Sequence, residues 1–269
     1  MNHYVTVEPG VSIFVEDIGK GTPVIFIAGW PFDHRCYEYQ FTQLPMHGFR
    51  CIGIDMRGYG KSDHPWGQYS YDTFADDIQA VLEHLDITDA TLVGHSMGGA
   101  ISLNYVAKHG NRQVSKLALC GAAAPLWTQR SDYLYGLTQQ AATDMVAQCY
   151  QDRALLVENF GKMFFRTEDA LSPALAHWFN AIAMDASPHA TALCIELLRD
   201  TDLRDCMAKI TIPTAILHGT TDKICPFPFG EILHKNIKGS QLIPFEKSGH
   251  GLFYDERERF NKTIMDFAR

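Results

Sequence analysis

The 269-residue sequence predicts an α/β fold, a mostly parallel, doubly wound sheet with an N-terminal antiparallel hairpin and an inserted helical cap. Three observations carry this expectation. Short, almost wholly apolar runs recur along the chain, helical patterns separate them, and one long interval breaks the alternation without a buried strand. Runs apolar on both faces suit parallel strands covered by helices, and their alternation with helices implies right-handed crossovers.

The elements follow in chain order. His3 to Val7 and Val11 to Asp17 alternate in polarity and meet around Pro9-Gly10, which predicts the hairpin. Pro23-Val24-Ile25-Phe26-Ile27-Ala28, ending in Gly29, is the first buried strand. Phe49 to Ile54, Ala90 to Val93, Val114 to Leu119, Thr214 to Leu217 and Ser240 to Ile243 share its character. Helical patterns cover Thr73 to Leu85 with Asp72 as N-cap, Gly99 to Lys108, Phe229 to Lys235 and Glu256 to Phe267. From Pro125 to Lys209, Phe160, Met163, Phe164 and then Leu175, Trp178, Phe179, Ile182 recur at helical spacing. This stretch is too long for one crossover and is expected to form a cap (residues 125–209) inserted into a core of residues 1–124 and 210–269. The alternative is a set of helices packed on the sheet as core, with no lid role.

Composition narrows the function. An apolar content of 46% with 20% charged residues is ordinary for a globular protein with a sizeable core. A formal charge of −8 opposes nonspecific binding to nucleic acid or to an anionic membrane. The seven cysteines are scattered, odd in number and form no C-x-x-C pair. Residues 1–10 lack the basic start and apolar stretch of a signal peptide, and no apolar run could span a bilayer. A reducing cytoplasm is the expected location.

The chemistry centres on Gly94-His95-Ser96-Met97-Gly98, a G-x-S-x-G pentapeptide between an apolar strand and a helix. A strand that turns abruptly into a helix places the serine on a strained bend with its hydroxyl exposed, and the flanking glycines leave room for crossing backbone. A serine hydroxyl needs a base within hydrogen-bond reach. Of the twelve histidines, His250 fits, in Ser248-Gly249-His250-Gly251 after a strand, where α/β sheets gather their ligand-binding groups. His95 is expected to pack beside the bend, and His218 to be structural. The base needs a carboxylate to fix its tautomer. Asp222, in the turn after Thr214 to Leu217, completes the order serine, aspartate, histidine. Asp200, Asp202, Asp205 and Asp132 are weaker candidates. Charge on the tetrahedral intermediate calls for two N–H donors, assigned to Met97 and to Trp30 in Gly29-Trp30-Pro31. Asp55-Met56-Arg57-Gly58-Tyr59-Gly60-Lys61-Ser62 lacks phosphate-loop spacing and reads as a structural turn with Arg57 serving local acceptors. No pair of His, Cys or carboxylate residues shows metal-ligand spacing, so no metal is expected.

With these segments in place the chain resembles the α/β-hydrolase superfamily, and within it the cofactor-free (non-haem) chloroperoxidase-like aryl esterases and perhydrolases. The resemblance spans nearly the whole chain. It runs through Gly29-Trp30-Pro31, the Asp55 to Ser62 turn, the elbow at Ser96, Ser187-Pro188, Asp202-Leu203-Arg204, His218-Gly219 before Asp222, and Gly249-His250-Gly251. It implies an α/β-hydrolase fold with Ser96 as nucleophile, His250 as general base and then acid, Asp222 as orienting acid, and Trp30 and Met97 as oxyanion donors. Two departures stand out: Ala28-Gly29 where many relatives have His-Gly, and Gly98-Gly99-Ala100 after the elbow, which is closer to general esterases.

The resulting expectation is a serine esterase that cleaves a small-molecule carboxylic ester, small or aryl, through an acyl-enzyme. Trp30, Phe164, Trp178 and Phe253 are the expected walls of its apolar pocket. Three alternatives use the same fold: a perhydrolase or haloperoxidase in which peroxide replaces water, a C–C bond hydrolase, and a non-catalytic ligand receptor.

Overall fold

The computed structural model describes residues 1–67, 69–167 and 170–269. Glu168 and Asp169, inside the expected cap interval, lie outside the described residues.

Among the described residues eight strands form one sheet. They are β1 (Asn2–Glu8), β2 (Val11–Gly19), β3 (Thr22–Ile27), β4 (Phe49–Ile54), β5 (Ala90–His95), β6 (Val114–Cys120), β7 (Thr214–Gly219) and β8 (Gln241–Phe245). Their order is β1-β2-β4-β3-β5-β6-β7-β8. The pairs β1–β2 and β2–β4 are antiparallel and all later pairs are parallel. Buried residues fill β3, β5 and β7 almost end to end, as strands covered on both faces require. After β3 the chain goes to β4 on one side and then to β5 on the other. The carboxyl ends of β3 and β5 therefore flank a topological switch point, where open α/β sheets bind ligands.

The helices are α1 (Glu38–Gln43), α2 (Tyr71–His84), α3 (Met97–His109), α4 (Gln139–Phe164), α5 (Pro173–Asp185), α6 (Pro188–Asp200), α7 (Arg204–Met207), α8 (Pro228–Asn236), α9 (Leu252–Asp255) and α10 (Arg257–Ala268). Helix α2 begins two residues earlier than the sequence pattern suggests. Its N-cap is Ser70, whose hydroxyl accepts from the Thr73 N–H at 3.0 Å, so Asp72 is a first-turn residue and not the cap. Helices α4 to α7 all fall between β6 and β7. Helix α4 breaks at Asp152, whose φ/ψ of −156°/80° is non-helical, and its carboxylate caps the continuation through the Leu155 N–H. Among the described residues no helix is long and apolar enough to cross a membrane. All seven cysteines are free thiols.

Candidate active site

Ser96 joins β5 to α3 at φ 54° and ψ −121°, a positive-φ conformation costly for a residue with a side chain. Its main chain shows why the bend persists. The Ser96 N–H donates to the Cys120 carbonyl at 3.0 Å, and the Ser96 carbonyl accepts from Gly99 (2.9 Å), Ala100 (3.2 Å) and Ala123 (2.9 Å). The flanking glycines serve close packing. A Cβ on Gly98 would sit 2.3 Å from the Ile27 carbonyl oxygen, and one on Gly94 2.3 Å from Ser102 Oγ. The bend therefore presses directly on the end of β3.

Asp222 and His250 come together in the buried loops after β7 and β8. Asp222 Oδ1 accepts from the N–H groups of Ile224 and Cys225, both at 2.8 Å. Its Oδ2 accepts from His250 Nδ1 at 2.7 Å. His250 is fully buried, and its Nε2 has no hydrogen-bond partner among the described residues. A Cβ on Gly121, at the end of β6, would lie 3.4 Å from Asp222 Oδ2 and 3.5 Å from His250 Nδ1, so the end of β6 faces this pair. Ser96 and Gly121 are in turn tied across the sheet, through the bond from Ser96 to Cys120 and that from Gly121 to the Leu217 carbonyl.

The neighbouring histidines differ in role. His218 donates from Nε2 to the Cys225 carbonyl at 2.7 Å, and burial lowers its pKa. It supports the Asp222 turn, consistent with the structural reading. His95 does more than pack: its Nε2–H donates to the His250 carbonyl at 2.9 Å, with the two rings 4.6 Å apart. Burial, followed by the nearby His250, drives the His95 pKa well down, so this ring is neutral. Cys225, which sequence reasoning passed over, rests its thiol against the Ser96 side chain. Burial pushes that thiol well up and the Asp222 charge adds to the effect, so it stays protonated. A spacing of three from Asp222 on a turn was the only local signal for it.

The N–H groups of Trp30 and Met97 pair with no main-chain acceptor among the described residues. The Trp30 ring belongs to the contact with the α4–α7 layer: its indole N–H donates to the Thr191 carbonyl at 3.0 Å, and it stands edge-on to Phe160 at 4.9 Å. A mostly apolar cavity of about 310 Å³ opens between α4 and α5, walled by Phe32, Phe160, Phe164, Leu171 and Phe179. Of the four expected pocket walls only Phe164 lines it, and Phe164 also stands edge-on to His250 at 5.1 Å. Phe253 lies a layer behind, against His95 and Tyr37, because α9 turns it into the core. Trp178 packs on Phe179, half-buried and off the cavity wall.

One further expectation is corrected by long-range contacts. Arg57 does not serve local acceptors: it makes a two-bond pair with Asp77 (2.7 Å each) and one bond to Glu8 at 2.8 Å. The fold also brings Asp33, His34 and Asp55 together, with ligand atoms within 4.8 Å, although no linear spacing announced it. These groups already bind one another. Asp33 takes three bonds from the Arg35 guanidinium, and Asp55 takes the His34 ring at 2.5 Å and the Lys61 N–H at 2.9 Å. The cluster is an internal ion-pair network behind the Asp55 turn. The competing acids are engaged elsewhere, Asp132 and Asp202 with Arg204 and Asp200 with Arg199.

Comparison with known proteins agrees with this architecture. A family model described as the alpha/beta hydrolase fold matches residues 22–257. The chain is 48% identical over 268 residues to the AB hydrolase superfamily protein YisY of Bacillus subtilis, covering 100% of this chain and 99% of that one. It is 32% identical to the bifunctional esterase/perhydrolase DCH of Acinetobacter calcoaceticus, covering 99% of each. The solved esterase EaEST of Exiguobacterium antarcticum superposes with a TM-score of 0.97 at 46% identity, over 100% of this chain and 99% of that one. The mostly parallel sheet and the serine on a strained bend after β5 accord with these matches, and the family model covers most of the sequence: the chain belongs to the alpha/beta hydrolase fold family.

Proposed function

We propose that the chain is a serine esterase acting on small or aryl carboxylic esters through an acyl-enzyme. One observation carries the proposal: a buried imidazole holds its Nδ1 on a fixed carboxylate and leaves Nε2 without a hydrogen-bond partner among the described residues, while the strained Ser96 directly follows His95, whose ring stands 4.6 Å from that imidazole. Ser96 attacks the ester carbonyl as His250 Nε2 takes its proton. The tetrahedral oxyanion is met by the Trp30 and Met97 N–H groups, each worth about 3–4 kcal/mol in such a hole. His250 then protonates the departing alcohol, and water activated by the same ring releases the acid. Asp222 holds the tautomer and offsets the imidazolium charge. The missing Ser96–His250 bond is compatible with this, since catalytic hydrogen bonds tighten on substrate binding. Helices α4 to α7 act as the cap, and the aromatic cavity beside Phe164 suits an uncharged, apolar ester arm. Seven free thiols fit a reducing compartment.

The experiment is p-nitrophenyl acetate turnover with covalent labelling by a fluorophosphonate. Ser96→Ala should lower kcat by about 10⁶, as loss of a triad nucleophile does elsewhere, and should abolish labelling. Equal rates for the two proteins would refute the esterase reading, and an unreactive serine in folded wild type would favour a binding protein. Peracid formation is a second reading, favoured by the esterase/perhydrolase relative and by the Trp30-Pro31 pair after β3. Halogenation of monochlorodimedone that needs both acetate and peroxide would support it. Inactivity across carboxylate buffers would count against it.

A further inference from the structure

We propose that Asp255 is a positioning residue that fastens the loop carrying His250 to the end of helix α4, so that base and cap keep one relative placement. The inference rests on the reading of His250 as the base. Asp255 closes α9, the short helix that starts directly after the base loop. Its Oδ2 accepts two main-chain N–H groups at once, Gly249 at 2.8 Å and Arg166 at 3.0 Å. The first precedes His250 and the second lies two residues past the end of α4. One carboxylate oxygen thus joins segments more than eighty residues apart in sequence.

The surrounding packing makes this joint a close one. The Gly251 N–H donates to the Phe164 carbonyl at 2.8 Å, on the other side of His250. A Cβ on Gly249 would meet the main chain of Phe165 and Arg166 at 2.9–3.0 Å, and one on Gly251 would meet the Phe165 and Phe164 rings at 2.8–2.9 Å. Both glycines that flank the base are thus there to let the end of α4 approach. Phe164, whose ring stands edge-on to His250, also walls the cavity, so displacement of residues 164–166 moves cavity wall and base together. The adjacent Glu256 has a separate task, holding the Lys247 N–H and the Ser248 hydroxyl.

Asp255 bears a cost for its place. Burial raises its pKa to about 6 against the pull of the two N–H groups, with Glu256 raising it further and Arg166 lowering it. Lys247, Arg257, Glu258 and Arg259 share its surface cleft. A carboxylate kept where burial disfavours its charge, and bonded to two separate segments, is better explained by the joint it makes than by solubility.

The test compares full-length wild type, Asp255→Ala and Asp255→Asn by amide hydrogen exchange and by p-nitrophenyl acetate kinetics. Asp255→Ala should speed exchange in residues 164–167 and 247–251 together, whereas Asp255→Asn, whose amide oxygen still accepts, should stay near wild type. In turnover, kcat of Asp255→Ala should fall about 10- to 100-fold with KM little changed, the scale of a small misplacement of a catalytic group, and Asp255→Asn should recover most of it. Unchanged exchange in either segment, or a wild-type kcat for Asp255→Ala, would overturn the proposal. Should Asp255→Ala fail to fold, Asp255→Ser, too short to reach both N–H groups, takes its place under the same criteria. The exchange arm requires no hydrolysis. It stands or falls apart from the esterase reading, which fluorophosphonate labelling of the wild type decides.

Discussion

Replacing Gly98 by alanine tests whether the bend at Ser96 and the end of β3 are mechanically one object. The new Cβ would lie 2.3 Å from the Ile27 carbonyl oxygen and 2.5 Å from that of Ala28. Both are main-chain atoms and cannot rotate away. Relief requires α3 and β3 to part by on the order of 1 Å, and a displacement of that size at a catalytic constellation costs about 10²-fold in rate. The two carbonyls lie two and three residues before Trp30, so the strain is passed to the N–H assigned to the oxyanion. The expected result is a kcat about 10²-fold below wild type, equivalent to about 2.7 kcal/mol of barrier, with KM moving much less. Initial rates on p-nitrophenyl acetate give both constants, and near-ultraviolet circular dichroism with thermal melting checks that the variant is folded. A folded Gly98→Ala enzyme within twofold of wild-type kcat would refute the coupling.

Two other outcomes follow from buried charge. Arg57 and Asp77 are each 2% exposed, so Arg57→Ala strands a buried carboxylate and should cost about 3–5 kcal/mol in urea unfolding. Replacing both partners with apolar residues of similar size should recover most of that loss, and a single-variant cost under about 1 kcal/mol would contradict the reasoning. Asp255 is the second case. With a folded pKa of about 6 against an ordinary 3.8, the native state holds the proton more tightly than the unfolded chain. The stability of wild type relative to Asp255→Asn should therefore fall as pH rises from 3.8 towards 6 and level off above it. Melting temperatures of the two proteins across that range measure the difference, and a flat difference would contradict the assignment.

The sequence was most legible where local pattern and tertiary role coincide. Ile25 and Leu92 sit in runs that are apolar because both faces of β3 and β5 are covered, so every parallel strand could be read to within a few residues. The pentapeptide around Ser96 likewise carries its geometry in its glycines. Other features depend on distance in space. Arg57 finds Glu8 and Asp77 across strands and helices, His95 reaches a carbonyl 155 residues away, and Asp255 finds the end of α4. No periodicity encodes such meetings. Helical spacing flagged Phe164 and Trp178 alike, yet it could not say that the first walls the cavity and the second stands off it. The α1 segment was missed because six residues flanked by single 3₁₀ turns hold too little pattern to register.

Asp222 divides its two oxygens between different tasks, and that division has a genetic consequence. One oxygen belongs to the architecture of its turn, satisfied by two amides from the following residues, while the other alone addresses the imidazole. An asparagine could keep the first relationship intact with its carbonyl and present an NH₂ where the second had been. The turn would survive while the ring was driven to carry its proton on the opposite nitrogen. Shape and proton placement at this position are therefore separable by a single isosteric change.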